Sequence, residues 1–229
     1  MNVGVMLAAG ASRRMRRNKS LVRSGGQTFL AHGVRHLWSA CEAVVVVLGA
    51  DARRTRVAAE EEFVRLVELG ALHGDLRTAR QRGSSELQVR FVVNRAWRRG
   101  MLGSARLGLR AALRLKPESV LVLPVDHPAV QPATVRALAA AMMAALGSYG
   151  GGRGRRATPP RAGFAYALVP RFQRRRGHPV ALSPALARAV AGDRGATDLS
   201  DALRRNARLV GYLDCGDAGV VRNRNHPKD

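Results

Sequence analysis

Cysteines and long apolar runs are both scarce in this sequence of 229 residues. The two cysteines, Cys41 and Cys215, have no paired spacing, which excludes a disulfide framework and a zinc site built from cysteines. No apolar run approaches the ~20 residues that a membrane-spanning helix needs. Near the N-terminus the positive charges follow the first apolar run, whereas in a secretory signal they would precede it. These features predict a cytoplasmic protein without a membrane partner.

Acidic and aromatic residues are scarce as well. The chain has 16 Asp and Glu against 39 Lys and Arg, so its formal net charge at pH 7 is +23. A field of this size attracts polyanions, and a non-enzymatic protein that binds nucleic acid through its phosphates is therefore one candidate. Only 4% of the residues are aromatic, and no homeodomain, zinc-finger or RNA-binding signature accompanies the arginines. Without aromatic platforms for base stacking, we do not expect nucleic acid to be the partner.

Short apolar segments alternate with amphipathic ones along the chain. The segments that we expect to form buried strands are 2–8, 43–48, 87–93, 119–124, 163–169 and 209–213. The expected helices are 28–40, 52–69, one that ends near 115, 132–146, 184–191 and 197–206. Because several strands are apolar on both faces, the sequence predicts an α/β protein with a mainly parallel sheet between two layers of helices. The length predicts one domain, 1–229, with a Gly- and Arg-rich loop at about 147–162.

Two of the predicted helices carry informative side-chain patterns. Helix 52–69 has Val57, Val64 and Val67 on one face, which the pattern makes its apolar face. His32 and His36 lie four residues apart on helix 28–40. Because no acidic residue adjoins them, we interpret these histidines as ordinary helix residues and not as metal ligands.

Small residues and then cations follow the first predicted strand. Ala8, Ala9 and Gly10 leave room for a ligand against the backbone, and Gly10 permits conformations that a side chain would forbid. Successive N–H groups in such a loop can cradle an anion. The cations that follow are Arg13, Arg14, Arg16, Arg17 and Lys19. The stretch predicts a polyphosphate site, although a strand that ends in a solvated basic loop fits equally well. It is neither a dinucleotide fingerprint nor a P-loop, because it has a single glycine and no Gly-Lys-Ser/Thr ending.

Three polar segments each follow a predicted strand. Residues 10–19 follow the first strand, residues 94–104 the third, and Asp126 the fourth. Ligands of parallel sheets bind beyond the carboxyl ends of the strands, so we expect all three segments at one crevice. Asp126 is either a cap for the next segment or a magnesium ligand. The cationic loop at the same edge favours the metal role, because Mg²⁺ binds through a carboxylate or two together with phosphate oxygens.

The basic loop resembles the motif that opens the molybdenum-cofactor (MobA-like) nucleotidyltransferases, Leu-Ala-Ala-Gly-x-Ser-x-Arg-Met-Gly-x-x-Lys. The residues in register are Leu7, Ala8, Ala9, Gly10, Ser12, Arg14, Met15 and Lys19. Arg16 stands where that family usually has glycine.

Further segments resemble the family in the same order. They are Asn94-x-x-Trp97-x-x-Gly100-Met101-x-x-Ser104, Val122-Leu123-Pro124-Val125-Asp126-His127-Pro128, Gly177-His178-Pro179 and Gly192-Asp193-x-Gly195. The tail Asn223-Arg224-Asn225-His226-Pro227-Lys228-Asp229 resembles Asp-x-Asp-Thr-Pro-Glu-Asp, with asparagine at both leading positions. The resemblance covers nearly the whole chain, and the joint order of the motifs is more specific than any one of them.

The resemblance implies a Rossmann-like three-layer fold and a magnesium-dependent transfer of a nucleotide from an NTP to a phosphorylated acceptor such as the molybdopterin cofactor, with release of pyrophosphate. Within the family, the segments around Trp97 and His178 look most like molybdopterin cytidylyltransferases, which favours CTP. Guanylyl transfer from GTP is the near alternative, and a nucleotidyltransferase of sugar or lipid precursors is a further one. A molybdoenzyme or a chaperone is a partner that the resemblance leaves open.

The resemblance also implies a role for each matched residue. The residues expected at the nucleotide are Leu7, Ala8, Ala9, Gly10, Ser12, Asn94, Gly100 and Ser104. Arg14 and Lys19 are expected to hold its phosphates. Asp126 is expected to bind Mg²⁺ with the help of Asn225, and His178 is expected on the acceptor side.

Overall fold

A sheet of eight strands with helices on both faces forms the centre of the protein. A computed structural model describes residues 1–10, 12, 15, 17–69, 89–148 and 165–224. The strands of this sheet are β1 (Asn2–Ala8), β4 (Ala43–Leu48), β5 (Val89–Val93), β6 (Ser119–Pro124), β7 (Tyr166–Phe172), β8 (Arg175–Arg176), β9 (Val180–Leu182) and β10 (Leu209–Asp214). A separate hairpin consists of β2 (Arg23–Ser24) and β3 (Gln27–Thr28). The helices are α1 (Phe29–Trp38), α2 (Ala52–Glu68), α3 (Met101–Leu113), α4 (Pro132–Ser148), α5 (Pro184–Gly192) and α6 (Leu199–Asn206).

The sheet is mostly parallel, as predicted. Its order is β10-β7-β9-β6-β1-β4-β5, with β8 paired to β7. The central strand β1 pairs in parallel with β4 and with β6. Strand β9 was not predicted, and it lies antiparallel between β6 and β7. With three residues it is too short for any periodicity to reveal it, and the same holds for the two-residue β8.

Each central strand contributes to two apolar cores, one on each side of the sheet. Met6, Val46 and Leu121 belong to the core covered by α1, α2 and α4. Their neighbours Val5 and Val122 belong to the opposite core, which α3, α5 and α6 cover. Strands β1, β4 and β6 are therefore apolar at almost every position, as expected of strands buried on both faces. This arrangement confirms the predicted α/β class with its three layers.

The buried face of α2 agrees only in part with the one that the sequence predicted. Val57 and Val64 are 49% and 58% exposed, whereas Val67 is partly buried and packs against the core. The residues that turn inward include Phe63 and Leu66. The buried face also contains Glu62, whose carboxylate accepts hydrogen bonds from the backbone N–H of Thr28 at 2.9 Å and from its hydroxyl at 2.6 Å. Thr28 is the N-cap of α1, so this carboxylate ties the start of α1 to α2. The charged Glu62 interrupts the apolar pattern of the buried face, and the pattern therefore did not fully predict this face from the sequence.

Several predicted boundaries shift or leave the described residues. The strand predicted at 163–169 is β7, which begins at Tyr166 and continues to Phe172. The Gly- and Arg-rich loop begins inside α4, which extends to Ser148, and the rest of it lies outside the described residues. Within the described ranges, no helix has both the length and the apolar character that a membrane span requires.

Burial of His36 on α1 makes the stability of the fold sensitive to acid. Its side chain is buried, and desolvation lowers its pKa from 6.5 to about 4. The charges of His32 and Arg35 add to this shift, while Asp217 opposes it. The ring of His32 is held by the carbonyl of Ser24 at 2.8 Å, which agrees with a structural role for this histidine.

We therefore expect the free energy of unfolding to fall as the pH drops from 7 to 5. In this range the unfolded chain binds a proton at His36 and the folded chain does not, which costs about 2 kcal/mol. As the pH rises past 6.5 the unfolded chain also loses its proton at His36, so the effect fades and becomes small by about pH 7.5. Urea unfolding of the native protein and of His36→Leu at pH 7 and pH 5 measures the difference. An equal loss of stability in the two proteins would contradict the prediction.

Candidate functional site

A cleft of about 370 Å³ opens where β1 and β6 end. Its walls are formed by Leu7, Ala9, Gly10, Ser12, Lys19, Trp97, Arg98, Gly100, Met101, Ser104, Pro124, Val125 and Asp126. The three polar segments that the sequence placed at one crevice thus all line one cleft. Its volume lies in the range of small-molecule sites.

The loop after β1 is closed by its own side chains. The hydroxyl of Ser12 accepts a hydrogen bond from the backbone N–H of Lys19 at 2.9 Å, and Ser12 has a positive φ of 52°. Asn18 caps the 3-10 helix Lys19–Leu21, and its amide donates to Thr55 on α2 at 2.8 Å. This bracing fixes Lys19 in the cleft. Arg14 and Arg16 lie outside the described residues.

Lys19 and Asp126 face each other across the cleft. The ammonium nitrogen of Lys19 lies 3.6 Å from a carboxylate oxygen of Asp126, and their side chains are only 12% and 24% exposed. Partial burial strengthens such an attraction because the surroundings screen it less than bulk water does. The other carboxylate oxygen of Asp126 lies 3.9 Å from Nε2 of His127. The ammonium of Lys19 and the carboxylate of Asp126 therefore lie at close range in the site.

The donor set at Asp126 fits a metal ion that arrives together with phosphate. In the part of the chain that the structure describes, no three His, Cys, Asp or Glu side chains are grouped to hold a metal. A single partly exposed carboxylate suits Mg²⁺, which keeps several waters and takes further oxygens from substrate phosphates. The backbone N–H of Arg224 donates to the carbonyl of Asp126 at 2.8 Å. Arg224, which directly precedes Asn225, is thus in contact with Asp126. Asn225 itself lies outside the described residues.

His178 lies beside His127 and does not line the cleft. The two rings are 4.8 Å apart between centroids, and the backbone N–H of His178 donates to the carbonyl of Val220 at 2.9 Å. Desolvation lowers the pKa of His178 to about 4, and the charge of His127 adds to the shift. Desolvation also lowers the pKa of His127, although Asp126 pulls it upward. His178 is therefore neutral at pH 7, behind Asp126, and its role toward an acceptor stays a prediction.

Asn94 supports the wall of the cleft from behind. Its side chain is buried, and its amide donates to the hydroxyl of Ser104 at 2.9 Å while its carbonyl accepts from the N–H of Ala96 at 3.0 Å. Ser104 and Gly100 line the cleft directly. Ala8, in contrast, is buried in the core on the side of α1. Asn94 and Ala8 were both expected at the nucleotide, but neither of them lines the cleft itself. Asn94 contacts Ser104, which does.

Five residues of the cleft wall had no role in the sequence-based assignment, and Gly49 had been noted only as the end of a strand. The five are Trp97, Arg98, Met101, Pro124 and Val125, of which only the motifs around them had been recognised. Gly49 follows β4 at the base of the cleft, where a Cβ would lie 2.7 Å from Cβ of Trp97 and 2.9 Å from Cβ of Ala9. A glycine immediately after a buried strand is the signal that could have identified it.

We expect Gly49→Val to open the cleft wall. A side chain at this position would push Trp97 away from the backbone of Ala9, so nucleotide affinity should fall by at least about tenfold and stability by about 1–3 kcal/mol. Urea unfolding and calorimetry with an NTP measure the two effects. Gly147→Val is the matched control, because a Cβ at this position meets nothing within 4 Å and Gly147 is exposed on α4. Unchanged affinity in Gly49→Val would mean that Trp97 and Ala9 need not lie together.

Comparison with known proteins adds a family match and several relatives. Residues 4–209 match the family model described as the MobA-like NTP transferase domain. The chain is 34% identical over 220 residues to nicotine blue oxidoreductase of Paenarthrobacter nicotinovorans, a match that covers 93% of this chain and 87% of that protein. It is also 34% identical over 119 residues to a probable molybdenum cofactor guanylyltransferase of Opitutus terrae, which covers 48% of this chain and 59% of that protein.

Solved structures resemble the fold at low sequence identity. Rv0371c from Mycobacterium tuberculosis H37Rv has a TM-score of 0.63 at 20% identity and covers 93% of this chain and 87% of that one. The same protein has been solved in complex with manganese, with a TM-score of 0.57. A nucleotidyl transferase from Methanothermobacter thermautotroptrophicus has a TM-score of 0.61 at 22% identity and covers 100% and 94% of the two chains. These likenesses confirm the Rossmann-like fold.

Proposed function

The chain belongs to the MobA-like NTP transferase family, and we propose that it transfers a nucleoside monophosphate from CTP to a phosphorylated small molecule such as the molybdopterin cofactor, with release of pyrophosphate. Because the family is one of nucleotidyltransferases, the chain is an enzyme. The alternative of a non-enzymatic protein that binds nucleic acid is therefore rejected. CTP is placed first because of the segments around Trp97 and His178. GTP is the alternative, and the name of the Opitutus relative favours it. Transfer to a sugar or lipid precursor is a further alternative.

The pair formed by Lys19 and Asp126 is the observation that carries this proposal. A cation suited to phosphate and a carboxylate suited to a metal lie 3.6 Å apart in one cleft. A triphosphate that enters the cleft offers Lys19 a more highly charged partner than Asp126. As Lys19 turns to the phosphates, the carboxylate of Asp126 becomes available.

The reaction needs alignment and charge neutralisation more than a general base. The acceptor phosphate is already an anionic nucleophile at neutral pH. Its oxygen forms a bond to the α-phosphorus of the NTP while the bond from that phosphorus to the pyrophosphate oxygen breaks. Lys19 and Arg14 neutralise the negative charge that the leaving pyrophosphate acquires. Neutral His178, whose ring lies beside that of His127, is proposed for the acceptor side.

Nucleotidyltransferases use divalent metal ions, and we propose Mg²⁺ for this chain, held by Asp126 and Asn225. When bound, the ion neutralises charge on the triphosphate and on the leaving pyrophosphate. The nucleotide lies against the wall formed by Leu7 and the small residues Ala9, Gly10 and Ser12. Gly100 and Ser104 form the opposite wall, which Asn94 braces.

Thermal-shift measurements with CTP, GTP, ATP and UTP, each with Mg²⁺, test the proposal, because a ligand that binds only the folded state raises Tm. A selective shift by CTP supports cytidylyl transfer, and one by GTP supports guanylyl transfer. Incubation of the selected NTP with molybdopterin should then release pyrophosphate. The absence of a shift with all four nucleotides would overturn the proposal.

A second candidate is an oxidoreductase, which the Paenarthrobacter relative favours because its match covers 93% of this chain. In this case the cleft would hold a nicotinamide dinucleotide, whose pyrophosphate also suits Lys19, and hydride would pass from the reduced nicotinamide to the substrate. The same thermal-shift series with NADH and NADPH separates the candidates. Consumption of reduced dinucleotide with nicotine blue, without release of pyrophosphate from any NTP, would favour the oxidoreductase.

A further inference from the structure

We propose that the ring of Trp97, together with the guanidinium of Arg98, forms a stacking surface for the base of the bound nucleotide. This inference rests on the proposed function, because it requires a nucleotide in the cleft. It assigns to Trp97 a role that its motif does not state. It also predicts that this role is the same for every base.

Trp97 is held firmly at the wall of the cleft. Its backbone N–H donates to the carbonyl of Asn94 at 3.3 Å, and its carbonyl accepts from the N–H of Gly100 at 3.2 Å. The N–H of Asn94 in turn donates to the carbonyl of Leu48, at the end of β4, at 2.7 Å. The tight approach of Gly49 fixes the Cβ of Trp97 from below. The backbone and the Cβ that carry the ring are therefore fixed before any ligand arrives.

Arg98 lies over the same ring. Its guanidinium carbon is 4.5 Å from a ring centroid of Trp97, within the range of a cation–π contact. The guanidinium is planar and stacks well on aromatic faces. Both side chains line the cleft, so the pair presents flat surfaces of a kind that matches a nucleobase.

The two tryptophans of the chain occupy very different places. Trp38 is 4% exposed and belongs to the core beneath α1, where it only packs. Trp97 is partly exposed and lines the cleft. Met101, which is 51% exposed, lines the same cleft as Trp97. Together they give the cleft an apolar portion that a ligand could cover.

The cleft has a charged part and an apolar part, as a nucleotide has charged phosphates and a flat base. Lys19 and Asp126 provide its charged part, and Trp97 with Met101 provides its apolar part. With the triphosphate at Lys19, the planar base is the portion of the ligand that suits the ring of Trp97. Every base has a π face, so stacking raises affinity for all four NTPs and leaves base selection to contacts with the base edges.

Tryptophan fluorescence tests the stacking directly. In a Trp38→Phe background, Trp97 is the remaining tryptophan, and its emission is followed during titration with CTP, GTP or inorganic tripolyphosphate, each with Mg²⁺. We expect both nucleotides to quench the emission and tripolyphosphate, which has no base, to leave it nearly unchanged. This measurement keeps Trp97 intact and so does not depend on how a substitution there folds.

Affinity measurements complete the test. By calorimetry, Trp97→Ala should raise the Kd of CTP and of GTP by a similar factor of about ten, with little change for tripolyphosphate, while Trp97→Phe should retain most of the affinity. Arg98→Gln should weaken both nucleotides, whereas Arg99→Gln on the same turn is the control, because Arg99 does not line the cleft. Tight nucleotide binding with unchanged Trp97 emission, or equal Kd in Trp97→Ala, would overturn the stacking and leave the proposed transfer standing. Failure of the native protein to bind any NTP would overturn both.

Discussion

Asp126→Asn is expected to lower kcat on the order of 10³-fold while the fold stays intact. The substitution keeps the volume of the side chain and removes the only charge that opposes Lys19 among the described ion pairs of the cleft. An amide is a poor replacement for a carboxylate toward a hard divalent ion. Steady-state kinetics with Mg²⁺ and the selected NTP measures the loss, and a thermal melt checks the fold.

Asp214→Asn is the matched control for this variant. Asp214 ends β10 on the same sheet, is 68% exposed and pairs with Arg171 at 2.7 Å, outside the cleft. The kcat of Asp214→Asn should equal that of the native protein. Near-normal metal-dependent turnover in Asp126→Asn would show that the metal is held elsewhere.

Lys19→Met is expected to lower kcat by about 10²- to 10³-fold, with a change in KM for the NTP of less than about threefold. Its charge acts most strongly when the pyrophosphate leaves, because negative charge builds up there in the transition state. The braced backbone at Ser12 and Asn18 keeps the loop in place without the ammonium group. Separate measurement of kcat and KM distinguishes transition-state stabilisation from ground-state binding.

Lys116→Met controls for the loss of one positive charge, since Lys116 is exposed and follows α3 outside the cleft. The double variant with Asp126→Asn should lose less than the product of the two single effects, because both residues serve the same charge balance. A rise in KM without a fall in kcat would show that Lys19 contributes only to ground-state binding of the NTP.

Strands that are buried on both faces could be predicted from the sequence, whereas a helix with one polar contact inside could not. Residues 43–48 and 119–124 are continuous apolar runs, and the structure has strands with those bounds. On α2, Val57 and Val64 are exposed, whereas Glu62 is buried because its carboxylate binds Thr28, a partner 34 residues away that no local pattern reveals. The reversed strand β9 was missed for a similar reason, because its place depends on β6 and β7.

The candidate site, too, could be predicted only in part from the sequence. The order of strands was enough to predict that residues 10–19, residues 94–104 and Asp126 meet at one edge. It did not predict which side chains of a segment face the cleft. Asn94 turns away to hold Ser104, and Trp97 approaches Ala9 only because Gly49 lacks a side chain. Contacts between distant segments decide such orientations, and a motif records only the identities of the residues.

The central position of β1 has a consequence for the growing chain. Its first neighbour, β4, is complete at residue 48, but its second neighbour, β6, begins only at residue 119. At about 5–20 residues per second, translation leaves one edge of this apolar strand bare for several seconds. During that time the nascent protein has an aggregation-prone edge, and slower elongation prolongs the exposure. The cleft, which is lined by residues at the end of β1 and by Asp126, is assembled only after more than half of the chain has been synthesised.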